Sequence, residues 1–412
     1  MRIAVVYNAV TDESSLDESD VLIQVDAVEQ ALKQLGHRVV ALPCSLNLSA
    51  VHDQLTKTRP GIVFNLVESL NGQDRLAHLL PALLDSMGMP YTGSKSEALH
   101  LTSNKIFAKQ WMVEAGLPTP PWLGPYPPDG PFLSKHLEAA RTDYGAQSGV
   151  RWLIKSLWQH ASSGLDEDGL ILDEDADRIQ ARLPECATQF GGACFAEAFI
   201  DGREFNLALL AQSRRPQVLP PAEIVFDDYP DDKLRIVGYR AKWQKDSYEY
   251  NHTPRRFKFP PQDAALLMQL EQMAKRCWQV FGLGGYARVD FRVDGDGRPW
   301  ILEINTNPCL SPDAGFAAAV HQSGLTFVEA VEWILSDAIA RTLWEFYIFV
   351  NSFENAKPVL TKLWRNRLWM ALFKIYVWFC VALSIRAIMA NHSLILDPLG
   401  ICHHGQTLPK QL

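Results

Sequence analysis

Apolar and polar positions along the first part of the chain predict strands separated by helices. Three apolar runs have the length and composition of buried strands: residues 2–7, 37–42 and 62–67. Between the first two, residues 21–35 carry apolar side chains at helical spacing, and Gly36 ends this segment. A shorter helix is predicted over residues 49–58. Strands that alternate with helices predict a parallel, Rossmann-like sheet.

The loops that follow these strands are candidates for ligand binding, because parallel sheets bind ligands at the carboxyl ends of their strands. Residues 8–13, which include Glu13, follow the first strand, and residues 68–74 follow the third. Taken alone, a glutamate in such a loop is usually solvated. No G-x-G-x-x-G pattern follows the first strand, so the sequence does not indicate a dinucleotide site.

A helix and an extended linker are predicted next. The helix opens with Asn104 and Lys105 and ends before Gly116. The helix macrodipole disfavours a lysine in the first turn, so Lys105 is a small hint of an anionic partner. Seven prolines between residues 118 and 131 then predict an extended linker.

Residues 152–157 predict a strand with Lys155 inside an apolar run. A lysine is rarely buried without a partner. Lys155 is therefore either a phosphate contact or an edge lysine whose charged end reaches solvent. The loop behind it contains Ser162 and Ser163 and is small and rich in hydroxyl groups, as a loop that cradles phosphates needs to be.

The chain then shows a second series of predicted strands. An Asp-Gly turn separates the first two of these strands: residues 195–200, 205–210 and 219–224. A polar loop with aromatic residues and Lys242 follows over residues 227–251. Helices are predicted over residues 262–281 and 327–339.

A predicted hairpin over residues 286–308 carries the clearest chemical signal. Two β-branched and aromatic runs flank the turn sequence Asp-Gly-Asp-Gly. Alternate strand residues share a face, so Arg288 lies beside Asp290 and Glu303 beside Asn305, with Asp290 expected diagonal to Glu303. Two carboxylates and an amide suit Mg²⁺, and Arg288 could hold a transferring phosphoryl group. A solvated hairpin face is the alternative that the spacing leaves open.

Composition and charge narrow the function classes. The chain has 412 residues, of which 47% are hydrophobic and 21% charged, as in an ordinary globular protein of two or three domains. A formal net charge of −8 argues against nucleic-acid binding. Seven cysteines without a C-x-x-C pair indicate a reducing, cytoplasmic setting. The predicted strand starts at residue 2, so no signal peptide is expected.

The C-terminal segment, residues 341–412, differs from the rest. Residues 355–396 contain no Asp or Glu but six Lys and Arg residues, together with an apolar, aromatic stripe at helical spacing. The longest uncharged run, residues 375–385, is too short to cross a bilayer. We predict a basic helix at a membrane surface, in contact through residues 357–390. A partner-binding helix and a non-native extension of the reading frame are the alternatives.

Taken together, these motifs resemble the D-alanine–D-alanine ligase branch of the ATP-grasp family over about residues 1–340. The pattern R-x-D-x(12)-E-x-N-x-x-P, from Arg288 to Pro308, resembles the metal-binding end of that family. Further segments match in the same order: Pro90-Tyr91-Thr92-Gly93-Ser94, Ser103-Asn104-Lys105, Lys155 with Ser162-Ser163, and Gly202-Arg203-Glu204.

The resemblance implies an α/β ATP-grasp fold. A Rossmann-like, pre-ATP-grasp domain would cover residues 1–102, a small phosphate-flap subdomain 103–194, and a large subdomain with the metal site 195–340. The tail, residues 341–412, would be a helical extension outside the family fold.

The resemblance also implies an ATP- and Mg²⁺-dependent (or Mn²⁺-dependent) carboxylate–amine ligase that forms a peptide bond through an acyl phosphate. The implied metal ligands are Asp290, Glu303 and Asn305. The implied phosphate contacts are Lys105, Lys155, Ser162, Ser163 and Lys242. Adenine would meet Glu197 and the backbone of Ala198, Phe199 and Ile200, and ribose would meet Glu204. The implied catalytic residues are Arg288, Lys242, Ser162 and Glu13, the last at the amino group of the first substrate.

The substrate-facing residues match the family pattern only in part. Asn8 and Ala9 replace two glycines, Glu68 replaces a histidine and Cys309 replaces a glycine. The family's later His-Ser pair, whose serine binds the carboxylate of the second substrate, is missing. Cys309 could be read as a nucleophile, but no obvious histidine partner accompanies it, and we favour an inert thiol.

Three hypotheses about function follow. The first is D-alanine–D-alanine ligation in peptidoglycan synthesis for the cell wall. The second is a ligase for other amino acids, a dipeptide or a specialised metabolite. The third is a nucleotide-binding, membrane-associated protein without ligase activity. The expected partners are ATP and small amino acids, with a homodimer as an open alternative.

Overall fold

The computed structural model describes residues 1–11, 14–127, 151–159, 172–173, 175–212, 215–231 and 233–363. Three predicted site residues, Glu13, Ser162 and Ser163, lie outside this part of the chain, as do residues 364–390 of the predicted membrane-contacting segment. Within the described residues, the strands form three sheets.

The N-terminal sheet is parallel, as predicted. Its strands lie in the order β2-β1-β3, with Ile3 paired to Val39 on one side and to Ile62 on the other. The strands are β1 (Arg2–Asn8), β2 (Arg38–Cys44) and β3 (Ile62–Leu66). The helices around them are α1 (Leu16–Ser19), α2 (Val21–Gln34), α3 (Leu48–Thr58), α4 (Leu79–Ser86) and α5 (Ser96–Ser103), with a 3₁₀ turn at Asp74–Leu76.

A second, antiparallel sheet lies after the next helix. Its strands are β4 (Trp122–Tyr126), β5 (Trp152–Ser156), β6 (Leu172–Asp173) and β7 (Cys194–Ala198), in the order β4-β7-β5-β6. The helices α6 (Lys105–Glu114) and α7 (Ala176–Gln189) flank it in sequence.

The prediction of an extended linker over residues 118–131 is therefore wrong for the residues that form β4. This strand tolerates prolines because it lies at an edge of its sheet, where a missing N–H costs no ladder bond. Pro125 also falls where the pairing with β7 shifts register, between Leu123 and Tyr126.

The third and largest sheet carries the predicted hairpin. Its strands follow the order β11-β10-β8-β12-β13, with β9 paired to β8. They are β8 (Arg203–Gln212), β9 (Arg215–Val218), β10 (Ala222–Ile224), β11 (Arg255–Arg256), β12 (Tyr286–Val293) and β13 (Pro299–Asn305). The predicted polar loop contains two short helices, α8 (Tyr239–Trp243) and α9 (Tyr248–Asn251). A 3₁₀ turn at Pro261–Asp263 leads into α10 (Ala264–Val280), whose Leu270, Ala274 and Cys277 join the core of this sheet.

A bulge in β13 corrects the predicted hairpin register. Phe291 pairs with Ile301, whereas the preceding residue, Asp290, pairs with Glu303, so Leu302 has no partner on β12. Without this extra residue, Leu302 would face Asp290 and Glu303 would point to the opposite side of the sheet. The predicted diagonal relation is replaced by a direct cross-strand pair.

One hydrophobic core joins the first and third sheets. It contains Val5 and Phe64 from the N-terminal sheet and Tyr286 from β12. Two C-terminal helices complete it, α11 (Gly315–Gln322) and α12 (Phe327–Leu363). Helix α12 continues well past its predicted end at residue 339. None of the helices in the described part of the chain combines the length and apolar character that crossing a membrane requires.

Two glycines allow close backbone contact at the junction of these sheets. Gly285 has a φ of +68°, and a Cβ atom there would lie 2.9 Å from the backbone N and 3.0 Å from the Cα of Gly93. The Gly285 N–H donates to Asp337 Oδ2 at 2.9 Å. Arg341 donates both to Asp337 Oδ2 and to the Gly93 carbonyl, each at 2.8 Å. The junction therefore requires glycine at position 285, because a side chain there would clash with the backbone of Gly93.

We predict that Gly285→Ala destabilises the protein more than Gly282→Ala. Gly282 also has a positive φ, +61°, but nothing lies within 4 Å of a Cβ at that position. Both variants should lose about 1–2 kcal/mol from the left-handed conformation. Gly285→Ala should lose a further ~1–3 kcal/mol from the clash. Urea unfolding of both variants measures the difference, and equal losses would show that the contact with Gly93 is easily relaxed.

Candidate active site

A cleft of about 560 Å³ opens over the face of the large sheet, with residues of the other two sheets in its walls. The predicted site residues that the structure describes all line this cleft: Lys105, Lys155, Glu197, Ala198, Phe199, Ile200, Glu204, Lys242, Arg288, Asp290, Glu303 and Asn305. Residues that are far apart in sequence are thus brought to one place.

The hairpin supplies two opposed carboxylates at the floor of the cleft. Asp290 is 5% exposed, and Glu303, its cross-strand partner, is partly exposed. Arg288 binds Asp290 through two hydrogen bonds, from Nε to Oδ1 at 2.7 Å and from Nη2 to Oδ2 at 2.8 Å. The Asn305 amide donates to Asp290 at 3.2 Å and to Glu303 at 3.4 Å. The amide therefore joins the two carboxylates.

The two carboxylates are electrostatically coupled. Burial raises the pKa of Asp290, and the charge of Glu303 raises it further, whereas the bidentate contact with Arg288 opposes both. The positive charge of Lys242 on α8 also lowers this pKa. A cation placed between Asp290 and Glu303 would relieve their repulsion.

Asn206 on β8 belongs to this group, although the sequence reading did not single it out. It pairs with Asp290 in the sheet, and its amide donates to Asp290 Oδ1 at 2.9 Å. Its one sequence signal was a polar residue within the apolar run of β8. That signal does not identify a partner that lies on another strand.

The oxygen atoms of this group fit a hard divalent cation. Carboxylate and amide oxygens are the donors that Mg²⁺ takes in proteins, usually with one or two carboxylates. Among the described residues, no group of three or more His, Cys, Asp or Glu side chains forms an alternative metal site. The predicted set of Asp290, Glu303 and Asn305 contains only two carboxylates and an amide, and the structure places all three on one face.

The opposite wall carries a buried carboxylate between two lysines. Glu197 on β7 pairs through Oε2 with Lys109 at 2.5 Å and through Oε1 with Lys155. Lys109, which is 1% exposed, also donates to Thr119 Oγ1 at 2.8 Å and to the Pro120 carbonyl at 3.0 Å. Sequence reasoning missed Lys109, because a lysine in the middle of a helix is typical of an exposed face.

The charges of this triad depend on one another. Burial lowers the pKa of Lys109 to about 8, and the charge of Glu197 prevents a larger fall. Burial would raise the pKa of Glu197, but the two lysines outweigh it and lower that pKa. The triad therefore holds a net positive charge beside the cleft, and Lys155 is the one of its two lysines that lines the cleft.

Lys105 opens α6 at the same wall, behind an Asn104 cap whose side chain accepts from two backbone N–H groups. Its ammonium donates to the Gln159 carbonyl. Burial lowers the pKa of Lys105, and the charges of Glu303 and Asp74 oppose that fall. This lysine thus lies within the field of the floor carboxylates.

The hinge is the segment that leads from β7 to β8, and two of its backbone N–H groups already make hydrogen bonds within the protein. The N–H groups of Ala198 and Phe199 donate to the carbonyls of Pro121 (2.8 Å) and Arg151 (2.7 Å). Within the described residues, no acceptor is bonded to the N–H of Ile200. A hinge contact to a ligand would therefore use Ile200 rather than all three N–H groups.

Glu204 is held by a buried arginine that the sequence reading did not identify. Arg292 on β12 approaches Glu204 Oε2 at 3.0 Å and also donates to the Ile200 carbonyl at 3.2 Å. Its guanidinium lies 5.2 Å from the centre of the Phe199 ring. Arg292 therefore holds both Ile200 and Glu204 in place at the cleft.

Comparison with known proteins agrees with this geometry. A family model described as the D-ala D-ala ligase C-terminus matches residues 174–336. A D-alanine–D-alanine ligase of Moorella thermoacetica is 29% identical over 339 residues, which cover 82% of this chain and 99% of the relative. The corresponding ligase of a Synechococcus strain is 29% identical over 318 residues, covering 76% and 87%. The chain is thus similar to D-alanine–D-alanine ligases over most of its length, and residues 174–336 match the C-terminal model of that family.

Solved structures of the family share the fold. A Bacillus anthracis D-alanine–D-alanine ligase complexed with ATP superposes with a TM-score of 0.62 at 18% identity, covering 84% of this chain and 99% of that one. A Coxiella burnetii ligase gives 0.62 at 16% identity, with 87% and 99% covered. The predicted ATP-grasp fold is confirmed, whereas the individual residue roles and the domain limits stay predictions.

The cleft end where the family pattern breaks down is lined by carboxylates. Glu68, Asp20 and Asp17 line it together with Cys309. Gln24 donates to Glu68 at 2.8 Å. The Cys309 thiol donates to Asp20 Oδ2 at 3.0 Å.

Burial raises the pKa of Cys309, and the charges of Glu68 and Asp20 raise it further. A thiol in this setting stays protonated and is a poor nucleophile. This agrees with the prediction that Cys309 is an inert thiol.

We predict that Glu68→Gln stabilises the protein increasingly as the pH rises. Burial raises the pKa of Glu68 from 4.5 to about 8, against the hydrogen bond from Gln24. The folded state thus keeps a proton that the unfolded state releases. The stability which this proton contributes is complete below pH 4.5 and is lost as the pH rises to about 8.

Melting temperatures of wild type and Glu68→Gln between about pH 5 and pH 8 measure the effect. The melting temperature of Glu68→Gln, relative to that of the wild type, should rise by several degrees from pH 5 to pH 8. Glu97→Gln, at an exposed glutamate of α5, should keep a constant difference. A constant difference for Glu68→Gln as well would contradict a protonated Glu68.

Proposed function

We propose that this protein is an ATP-dependent ligase that joins a carboxylate to an amine through an acyl phosphate. The observation that carries the proposal is the arrangement of charge across the cleft. The floor holds the paired carboxylates Asp290 and Glu303, and the facing wall holds Lys155 and Lys105. A polyphosphate with a bound divalent cation is complementary to both surfaces.

In this proposal the adenine lies against the hinge. The N–H of Ile200 would donate to the ring, and Glu204, held by Arg292, would accept from the ribose hydroxyls. The predicted contact of Glu197 with adenine is less favourable, because both of its carboxylate oxygens are bound by lysines. Glu197 instead orients Lys155 towards the phosphates.

The cation in this proposal is Mg²⁺, with Mn²⁺ as a substitute of similar ligand preference. Asp290, Glu303 and Asn305 would hold it, and it would offset negative charge on the phosphates. Asn206 would orient Asp290 through the hydrogen bond that it already makes.

The chemistry requires two substitutions in sequence. A carboxylate oxygen of the first substrate attacks the γ-phosphorus of ATP, the bond to the β–γ bridging oxygen breaks, and ADP leaves. The amine of the second substrate then attacks the acyl carbon and loses a proton, and phosphate leaves with the electron pair of the C–O bond. The negative charge on the phosphoryl group would be stabilised by Lys105, Lys155 and Lys242. Arg288 would stabilise the tetrahedral oxyanion.

D-Alanine is the first candidate for both substrates, because the relatives with curated names are D-alanine–D-alanine ligases. Peptidoglycan synthesis would then be the process served. The second candidate is ligation of another amino acid. A protonated Glu68 beside Asp20 and Asp17 favours it, since this group differs from the family's histidine in charge and hydrogen bonding.

We predict that Asp290→Asn and Glu303→Gln each abolish ATP turnover while the fold persists. Each change removes one negative charge from the floor and weakens the proposed cation site. The measurements are ADP formation and circular dichroism. Asp296→Asn, at the exposed hairpin turn, is the matched control and should keep wild-type turnover. Wild-type turnover in both site variants would refute the metal assignment.

A screen for phosphate release tests the substrate class. ATP and Mg²⁺ are supplied with single D- and L-amino acids, pairs of amino acids and dipeptides. Release with D-alanine alone is the expected result. Release only with another amino acid would favour the second candidate, and no release with any of them would favour a nucleotide-binding protein without ligase activity.

A further inference from the structure

Arg255 is a cation of the cleft that the reaction described above does not use. It shares the short strand β11 with Arg256, and neighbouring strand residues point to opposite faces. Arg256 pairs with Glu223 at 2.5 Å, on the face away from the cleft. Arg255 lies opposite Ile224, and both line the cleft. The two arginines therefore have the same backbone setting and different surroundings.

The contacts of Arg255 leave most of its guanidinium unused. Nη1 donates to the Asp313 carbonyl at 3.2 Å. The Asp313 carboxylate forms an ion pair with Lys245 instead, at 2.9 Å. Within the part of the chain that the structure describes, no carboxylate pairs with Arg255. A planar fork of N–H donors is thus open to a ligand.

The position of this fork is next to the proposed acyl-transfer centre. Its Nε atom is 3.4 Å from where a Cβ on Gly315 would lie, so it packs against the start of α11. The positive charge of Arg288 also acts on Arg255. Although Arg255 is exposed within the cleft, the cleft walls and the like charge of Arg288 lower its pKa. An anion bound here would reduce this repulsion.

The proposed ligands offer two anions, the phosphates of ATP and the free carboxylate of the substrate that supplies the amine. The lysines Lys105, Lys155 and Lys242 already serve the phosphates. Arg255 lies instead by the Asp313 backbone and close enough to Arg288 for their charges to interact. Because Arg288 would stabilise the tetrahedral oxyanion, Arg255 is on the side of the cleft where the amine would react. A carboxylate is planar and accepts two parallel hydrogen bonds from an arginine.

We propose that Arg255 binds the carboxylate of the amine-supplying substrate and thereby selects amino acids over amines that lack a carboxylate. The assignment rests on the proposed ligase function. It predicts discrimination between a free amino acid and its carboxamide, which has the same size but no negative charge.

The test is a competition between two acceptors in one reaction. The full-length protein is given ATP, Mg²⁺, D-alanine and an equal concentration of D-alaninamide, and mass spectrometry measures D-alanyl-D-alanine against D-alanyl-D-alaninamide. The wild type should favour the free acid on the order of tenfold or more. Arg255→Gln should bring the product ratio close to one, and Arg255→Lys should lie between. The KM for ATP should stay unchanged in both.

Arg256→Gln is the matched control, because it removes an arginine from the same strand outside the cleft. It should keep the wild-type product ratio. An unchanged ratio in Arg255→Gln, or a raised KM for ATP with the ratio kept, would overturn the assignment while the ligase function stands. If the wild type uses another amino acid in the screen, that acid and its carboxamide replace the alanine pair. If it uses none, the ligase function fails and the assignment falls with it.

Discussion

The single extra residue in β13 determines the chemistry of the cleft floor. Because Leu302 has no partner on β12, Glu303 comes to lie opposite Asp290 rather than on the reverse face of the sheet. Two carboxylates at one cross-strand position repel each other, and this arrangement needs compensation. Arg288 supplies positive charge, and the amides of Asn206 and Asn305 supply hydrogen bonds. A divalent cation would complete the same compensation.

The facing wall uses the inverse arrangement. There a single carboxylate, Glu197, neutralises only part of the charge of Lys109 and Lys155, so the wall stays positive. A buried carboxylate with one lysine would leave no charge for a ligand, and two lysines without it would repel each other. The cleft therefore presents a negative floor and a positive wall, which is the pattern that a metal-bound nucleotide requires.

Much of the fold could be predicted because its signals are local. Periodicity marked the strands and helices of the Rossmann-like half, and the Asp-Gly-Asp-Gly turn marked the hairpin that carries Arg288 and Asp290. The bulge at Leu302 has no such signature, since it changes pairing without changing composition. Lys109 and Arg292 were missed for a related reason. Each looks like an ordinary charged residue until folding places Glu197 or Glu204 beside it, and those partners are far away in sequence.

The most direct test of the account follows an oxygen atom. A substrate amino acid labelled with ¹⁸O in its carboxylate is incubated with ATP, Mg²⁺ and the protein, and the released phosphate is analysed by mass spectrometry. An acyl phosphate transfers one carboxylate oxygen to the phosphoryl group, so the account predicts one ¹⁸O atom in each phosphate released by ligation. Phosphate released without the label, or label found in AMP, would contradict the proposed reaction.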